Sequence, residues 1–451
     1  MVILLLALLA AVCPVLALPT IEAKGSKLFT SDGAQFYLKG IAYQLTPDDP
    51  LADTSQCKLD SALMKTLGAN SIRVYHVEPQ LDHDGCMSAF SDAGIYAWID
   101  LGSYTGKNTP LYGGNPQWTK SKYQAYQKVM DTFHDYDNVA GFFVGNEMLT
   151  TGPDSKAAPF YKAAARDMKA YRDKKSYRKI PIGYSAADIT ALRPNLQNYM
   201  ACGSNSSEAL DFYSLNAYSW CGDSSYEQSG YNMLQLNASD YNIPIFMSET
   251  GCNLVKPRNF DDQSALFGPD MADSWSGSVV YEWIEETNNY GIVSYGAPAD
   301  PTATGDGVYE GYTRTGTPTP ISPDFENLSS QWATLSPKGV SADAYTPTIS
   351  PPACPAFTSG MWEMSGNVPL PTIGAKGTDY TTALPSASAD GSGTSTSASS
   401  AASSTRASSI AVSRRNMESF WPKVGKWTRE HPAAWYGLVV AGFFIMGVVV
   451  V

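Results

Sequence analysis

The chain has 451 residues, 43% of them hydrophobic and 12% aromatic, which supports a large core and excludes general disorder. Only 16% are charged and the formal net charge is -12, a balance that repels phosphate backbones and excludes nucleic acid as a partner. The four His are scattered and the Cys spacings match no zinc motif, so no metal and no cofactor is expected.

At the start of the chain, residues 2–12 form an apolar run that ends in Val15-Leu16-Ala17, a cleavage site of the A-x-A type. This predicts a signal peptide over 1–17 and a secreted protein beginning near Leu18, with a short buried helix as the competing reading. Once Cys13 is removed, six cysteines remain: Cys57, Cys86, Cys202, Cys221, Cys252 and Cys354. An even number in a secretory context implies disulfides, with fifteen possible connectivities. The sequons at Asn205, Asn237 and Asn327 are candidate glycosylation sites.

Residues 18–335 read as one catalytic domain. Eight apolar, β-branched or aromatic runs punctuate it, at 36–43, 71–77, 94–101, 139–146, 180–187, 211–219, 243–248 and 277–283. Between them lie stretches with helical periodicity, such as Leu59, Ala62, Leu63 and Leu67, and Tyr161–Tyr171. Strands alternating with helices imply parallel βαβ units, and eight of them predict an α/β fold of the (β/α)8 TIM-barrel class. A doubly wound open sheet is the alternative, but no G-x-G-x-x-G follows the first strand.

In such a barrel, chemistry happens where the strands end at their carboxyl termini. The eight runs end on Tyr43-Gln44, Tyr75, Asp100, Asn146-Glu147, Asp188, Tyr218, Glu249 and Tyr281. Glu147 and Glu249 leave strongly apolar runs, the fourth and the seventh, and would face each other across the barrel mouth. Paired carboxyls there suit glycoside cleavage, one protonating the leaving oxygen while the other attacks or activates water. Asn146 can bond a sugar 2-hydroxyl, and the tyrosines offer stacking area with a polar tip.

Beyond the barrel, every residue from Ser386 to Ser409 except Asp390 and Arg406 is Ser, Thr, Ala or Gly. Such a segment cannot bury enough apolar area to fold, so a Ser/Thr-rich stalk is expected over 381–413. Arg414, Arg415, Lys423, Lys426 and Arg429 precede an apolar Trp435–Val451. This order predicts a GPI-attachment signal over 414–451 and anchoring to the outer leaflet of the plasma membrane. A spanning helix is the competitor, and it would need about 20 apolar residues.

Several motifs together resemble the fungal β-1,3-glucanosyltransferases of glycoside hydrolase family 72. They are Lys39-Gly-Ile-Ala-Tyr-Gln44, Ser71-Ile-Arg-Val-Tyr75, Val144-Gly-Asn-Glu147, Leu215-Asn-Ala-Tyr-Ser-Trp-Cys221, Met247-Ser-Glu-Thr-Gly-Cys252, Val280-Tyr-Glu-Trp283 and Asn288-Asn-Tyr-Gly291. The resemblance implies a retaining enzyme that cuts one β-1,3-glucan and joins it to another, with Glu147 as acid/base and Glu249 as nucleophile. It implies that Tyr75, Asn146 and Tyr281 hold the donor glucan, with Gln44, Asp100 and the loop 102–110 nearby. Asp188 and Arg193 would hold the acceptor, and Tyr218 would orient the nucleophile. It further implies the disulfides Cys57–Cys86, Cys221–Cys252 and Cys202–Cys354, the last tying an extension over 336–380 back onto the barrel. Some members append a Cys-rich glucan-binding module; with only Cys354 beyond residue 252, none is expected here. A secreted endo-β-1,3-glucanase and an inactive glucan-binding wall protein are the alternative functions.

Overall fold

All eight runs enter one closed parallel barrel. Its strands are β1 (Leu38–Ala42), β2 (Ser71–Val74), β3 (Tyr96–Asp100), β4 (Val139–Asn146), β5 (Ile182–Ala187), β6 (Phe212–Asn216), β7 (Ile245–Thr250) and β8 (Trp275–Val280). Each strand lies beside its successor and β8 closes onto β1, so the fold is the expected (β/α)8 barrel. The computed structural model describes residues 18–44, 49–102, 115–305 and 307–377. The expected signal peptide over 1–17, residues 103–110 of the loop expected near the donor, the expected stalk over 381–413 and the expected attachment signal over 414–451 lie outside the described residues.

The helices are α1 (Thr54–Leu67), α2 (Asp84–Ala93), α3 (Lys120–Phe133), α4 (Ala158–Lys174), α5 (Asn195–Ala201), α6 (Tyr231–Ala238), α7 (Asp262–Leu266) and α8 (Asp324–Thr334). Asp53 starts α1 by accepting from the Ser55 and Gln56 N–H groups, and Gly68 ends it at φ 89°. The predicted phase of this helix needs correction. Leu59 is 44% exposed, while Gln56, Cys57, Asp60, Met64 and Leu67 are buried. The polar Asp60 is drawn inward because the Tyr43 and Tyr295 hydroxyls donate to it at 2.8 and 2.7 Å, and Gln56 at 3.0 Å.

Strand side chains alternate between two cores. Outward residues such as Ile72, Val74, Phe142, Val144 and Met247 pack beneath the helices. Inward residues Trp98, Phe143, Phe212 and Phe246 fill the barrel with rings whose centroids lie 4.9–6.4 Å apart. Gly141 makes this possible, since a Cβ there would meet the Trp98 ring at 2.5 Å. An antiparallel hairpin, Ile21–Lys24 with Lys27–Thr30, adds Ile21 and Leu28 to the same cluster beside Leu38 at the amino end of β1.

After α8 the chain runs back over the barrel as a strap. Ser341 bridges Ala34 and the Tyr345 hydroxyl lies 3.0 Å from Ser26 Oγ. Cys354 is bonded to Cys202, Trp362 is fully buried beside Tyr199, and Lys376 bridges Gln117 before α3. The other two disulfides are Cys57–Cys86 and Cys221–Cys252, so the three pairs are those the family resemblance implies.

Candidate active site

The floor of the site is a cation laid on the aromatic filling of the barrel. Arg73 points inward from β2, is fully buried, and has its guanidinium 4.5 Å from the centroid of the Phe143 ring and 4.4 Å from that of Tyr75. It donates Nη1 to Glu249 Oε1 at 3.3 Å and to Asn216 Oδ1 at 3.4 Å, and Nη2 to Asn146 Oδ1 at 2.9 Å and Asp100 Oδ2 at 3.4 Å. Burial works against this charge, but Asp100, Tyr75 and Glu249 more than offset it and the guanidinium pKa is raised.

Glu249 reaches the mouth through a register change. Leu215 pairs with Met247 but Asn216 pairs with Glu249, so Ser248 is an extra residue on β7. Ser248 Oγ bonds Asn216 Oδ1 at 2.7 Å, inside the barrel, and Glu249 follows it to the rim. There the Tyr218 hydroxyl donates to Oε2 at 2.7 Å and the Tyr75 hydroxyl to Oε1 at 3.0 Å. Burial pushes the Glu249 pKa up, and Arg73, Tyr218, Tyr75 and Asn216 pull it back. So many donors favour the ionised form.

Glu147 stands opposite, just past β4, with a left-handed backbone at φ 53° that an L-residue holds at a cost of about 1–3 kcal/mol. Its Oε1 accepts from Asn216 Nδ2 at 3.0 Å. Burial, followed by the charge of Glu249, raises its pKa to about 7, and the Asn216 bond and Arg73 oppose the rise only in part. Asp100 is raised to about 6, first by burial and with Arg73 opposing. Arg73 thus faces Glu249 and Asp100 directly, while Glu147, raised to about 7, retains its proton in about half of the molecules at neutral pH.

The remaining expected residues divide into two groups. Gln44, Tyr75, Asp100, Asn146, Tyr218 and Tyr281 surround the carboxyl pair. Gln44 Nε2 donates to the Tyr281 hydroxyl at 2.7 Å and to Glu282 Oε2 at 2.8 Å. The Tyr281 ring lies 6.4, 6.5 and 5.4 Å from the rings of Tyr75, Tyr218 and Tyr290. Asp188 and Arg193 instead pair with each other beyond β5, Nε to Oδ1 at 2.6 Å, with no hydrogen bond to either glutamate. Of the sequons, Asn205 is exposed, whereas Asn327 sits in α8 and spends its Nδ2 on the Arg258 carbonyl at 2.8 Å. Among the described residues no cluster of three or more His, Cys, Asp or Glu could hold a metal ion.

Arg73 and Asn216, with Ser185 and Ser248 beneath them, were not singled out from the sequence. A signal existed for two of them: Arg73 lies between Ile72 and Val74, and Asn216 closes a mostly apolar strand, where an unpaired polar group is costly.

A family model described as Glucanosyltransferase matches residues 11–306. Protein EPD1 of Candida maltosa is 40% identical over 361 residues, covering 78% of this chain and 61% of its own length. The 1,3-beta-glucanosyltransferase gas2 of Schizosaccharomyces pombe is 37% identical, covering 76% of this chain and 73% of itself. A solved structure of Saccharomyces cerevisiae Gas2p in complex with laminaritriose and laminaritetraose is 38% identical, with a TM-score of 0.70 over 79% of this chain and 77% of that one. The chain spans about three fifths to three quarters of the length of these curated relatives.

Proposed function

Because this chain belongs to the glucanosyltransferase family, glycoside hydrolase family 72, we propose that it is a cell-wall 1,3-β-glucanosyltransferase. It cleaves a β-1,3-glucan internally and passes the new reducing end to the non-reducing end of a second β-1,3-glucan, which is thereby lengthened. The observation that carries this reading is one short chain of bonds between the two glutamates: Asn216 Nδ2 donates to Glu147 Oε1 at 3.0 Å, and Arg73 Nη1 donates both to Asn216 Oδ1 at 3.4 Å and to Glu249 Oε1 at 3.3 Å. A carboxyl pair linked in this way across the barrel mouth supports double displacement, which uses two carboxyls about 5 Å apart.

In the reaction, Glu249 attacks the anomeric carbon of the donor while Glu147 passes its proton to the departing glucan oxygen. The covalent glycosyl-enzyme then meets the hydroxyl of an acceptor glucan. Glu147, now ionised, takes that hydroxyl proton, and the new glycosidic bond releases Glu249. Tyr75, Asn146, Tyr281, Gln44 and Asp100 line the donor side, Asp188 and Arg193 hold the acceptor, and Tyr218 orients the nucleophile. Asn146 faces the donor 2-hydroxyl, a contact that strengthens as the sugar flattens.

A hydrolase would use the same residues and differ only in the second step. Incubating the protein with reduced laminarioligosaccharides and sizing the products separates the outcomes: longer chains mean transfer, only shorter ones mean hydrolysis, and unchanged substrate means binding alone. The enzyme acts at the cell surface, its signal peptide removed and its chain held to the outer leaflet by a GPI anchor through the stalk. A phosphatidylinositol-specific phospholipase then releases it from membranes, and a Trp435–Val451 peptide found in the mature protein would instead mean a retained helix.

A further inference from the structure

Glu147 occupies its left-handed backbone at φ 53° with no glycine freedom, so something beside it must hold that conformation. Both holds come from β5. The Ser185 carbonyl accepts the Glu147 N–H at 2.9 Å. The next hold is a side chain: the Tyr184 hydroxyl accepts the Met148 N–H at 3.0 Å. Tyr184 is itself fully buried, its ring 5.1 Å from that of Tyr161. Gly145 leaves room for the pair, since a Cβ there would come 2.7 Å from the Tyr161 ring and 3.1 Å from that of Tyr184. One tyrosine of the outer core thus anchors the residue that follows the acid/base candidate.

We propose that Tyr184 is the positioning residue for Glu147: by accepting the Met148 N–H it keeps Glu147 in the left-handed backbone from which its carboxyl meets Asn216 and the leaving oxygen. The proposal rests on Glu147 serving as the acid/base. Removing the hydroxyl leaves the barrel filled but lets the backbone after Glu147 relax, and the carboxyl loses its aim at the leaving group. Glu249 and its tyrosine donors are untouched.

The test is Tyr184→Phe in the full chain, assayed with two donors. One is a laminarioligosaccharide, whose poor leaving group needs proton transfer. The other is a dinitrophenyl β-laminarioside with azide present, which needs neither acid nor base help. Turnover on the oligosaccharide should fall about tenfold or more, within the range of acid/base effects, while turnover on the activated donor stays within about twofold. A loss shared equally by both donors, or no loss on either, overturns the proposal. Glu147→Gln run in parallel separates the two claims. If it lacks the same donor selectivity, the acid/base role fails and the proposal falls with it; if only Y184F lacks it, the positioning role alone fails. Should Y184F not fold, 3-fluorotyrosine at position 184 weakens the acceptor without changing the packing. It should show the same selectivity in reduced measure, and wild-type behaviour would overturn the proposal.

Discussion

Asn216 Nδ2 lies 3.0 Å from Glu147 Oε1, and this bond stabilises the ionised form of a carboxyl whose surroundings otherwise favour the proton. The same side chain accepts from Arg73, Ser185 and Ser248 through Oδ1, so its orientation is fixed from beneath.

Asn216→Ala should therefore move the Glu147 pKa further up from about 7. The proposed mechanism needs Glu147 protonated, so the alkaline limb of kcat/KM should shift to higher pH. Absolute kcat/KM should drop at the same time by about tenfold or more, because Arg73, which donates to Glu249, also loses a partner. A pH–rate profile from pH 4 to 9 checks both, and a limb moving to lower pH would contradict the bond's role.

Glu147→Gln and Glu249→Gln should each remove at least about a hundredfold of activity while the circular dichroism spectrum is kept and the thermal transition stays cooperative. Glu147 and Glu249 project from the rim, not into the aromatic filling, so the amides cost the barrel no packing. Initial rates of product release on laminarioligosaccharides measure the loss. Activity near the wild-type level in either variant would remove that residue from the mechanism.

Much of this site is legible in the sequence because a barrel puts its chemistry at strand ends. Glu147 and Glu249 each close an apolar run and are found at the mouth, as are Gln44, Tyr75, Asp100, Asn146, Tyr218 and Tyr281. What escaped reading is set by pairing across strands. The extra residue at Ser248, which lets Ser248 and Glu249 both serve the site, exists only as a register difference between β6 and β7. The buried face of α1 differs from its apolar periodicity for a related reason: Leu59 looks like core, but Tyr43 and Tyr295 come from distant parts of the chain to satisfy Asp60.

The raised Glu147 pKa also makes a stability prediction. Its folded value of about 7 exceeds the ordinary 4.5, so its contribution is fully present below pH 4.5 and is lost as pH rises through about 7. Glu147→Gln does not titrate and escapes that loss. Its melting temperature should match the wild type near pH 4.5 and exceed it at pH 8. Calorimetry at the two values decides the sign, and an unchanged difference between them would show that Glu147 titrates normally in the folded protein.

The strap over 336–377 offers the last prediction. It is fastened by Cys202–Cys354, which closes a loop spanning 152 residues of sequence separation, the longest of the three disulfide loops. Loop closure of that size is worth about 3–5 kcal/mol through the unfolded chain. The strap is held besides by buried Trp362, by Lys156–Glu363 at 3.0 Å and by Arg166 on the Pro371 carbonyl at 2.8 Å. Cys354→Ser should therefore lower the melting temperature strongly without releasing the strap at once. The barrel strands and the Glu147–Asn216–Glu249 constellation do not depend on the bridge, so kcat at 25 °C should stay within about twofold of wild type while limited proteolysis near residue 354 becomes faster. Loss of activity in step with proteolysis would instead make the strap part of what shapes the cleft.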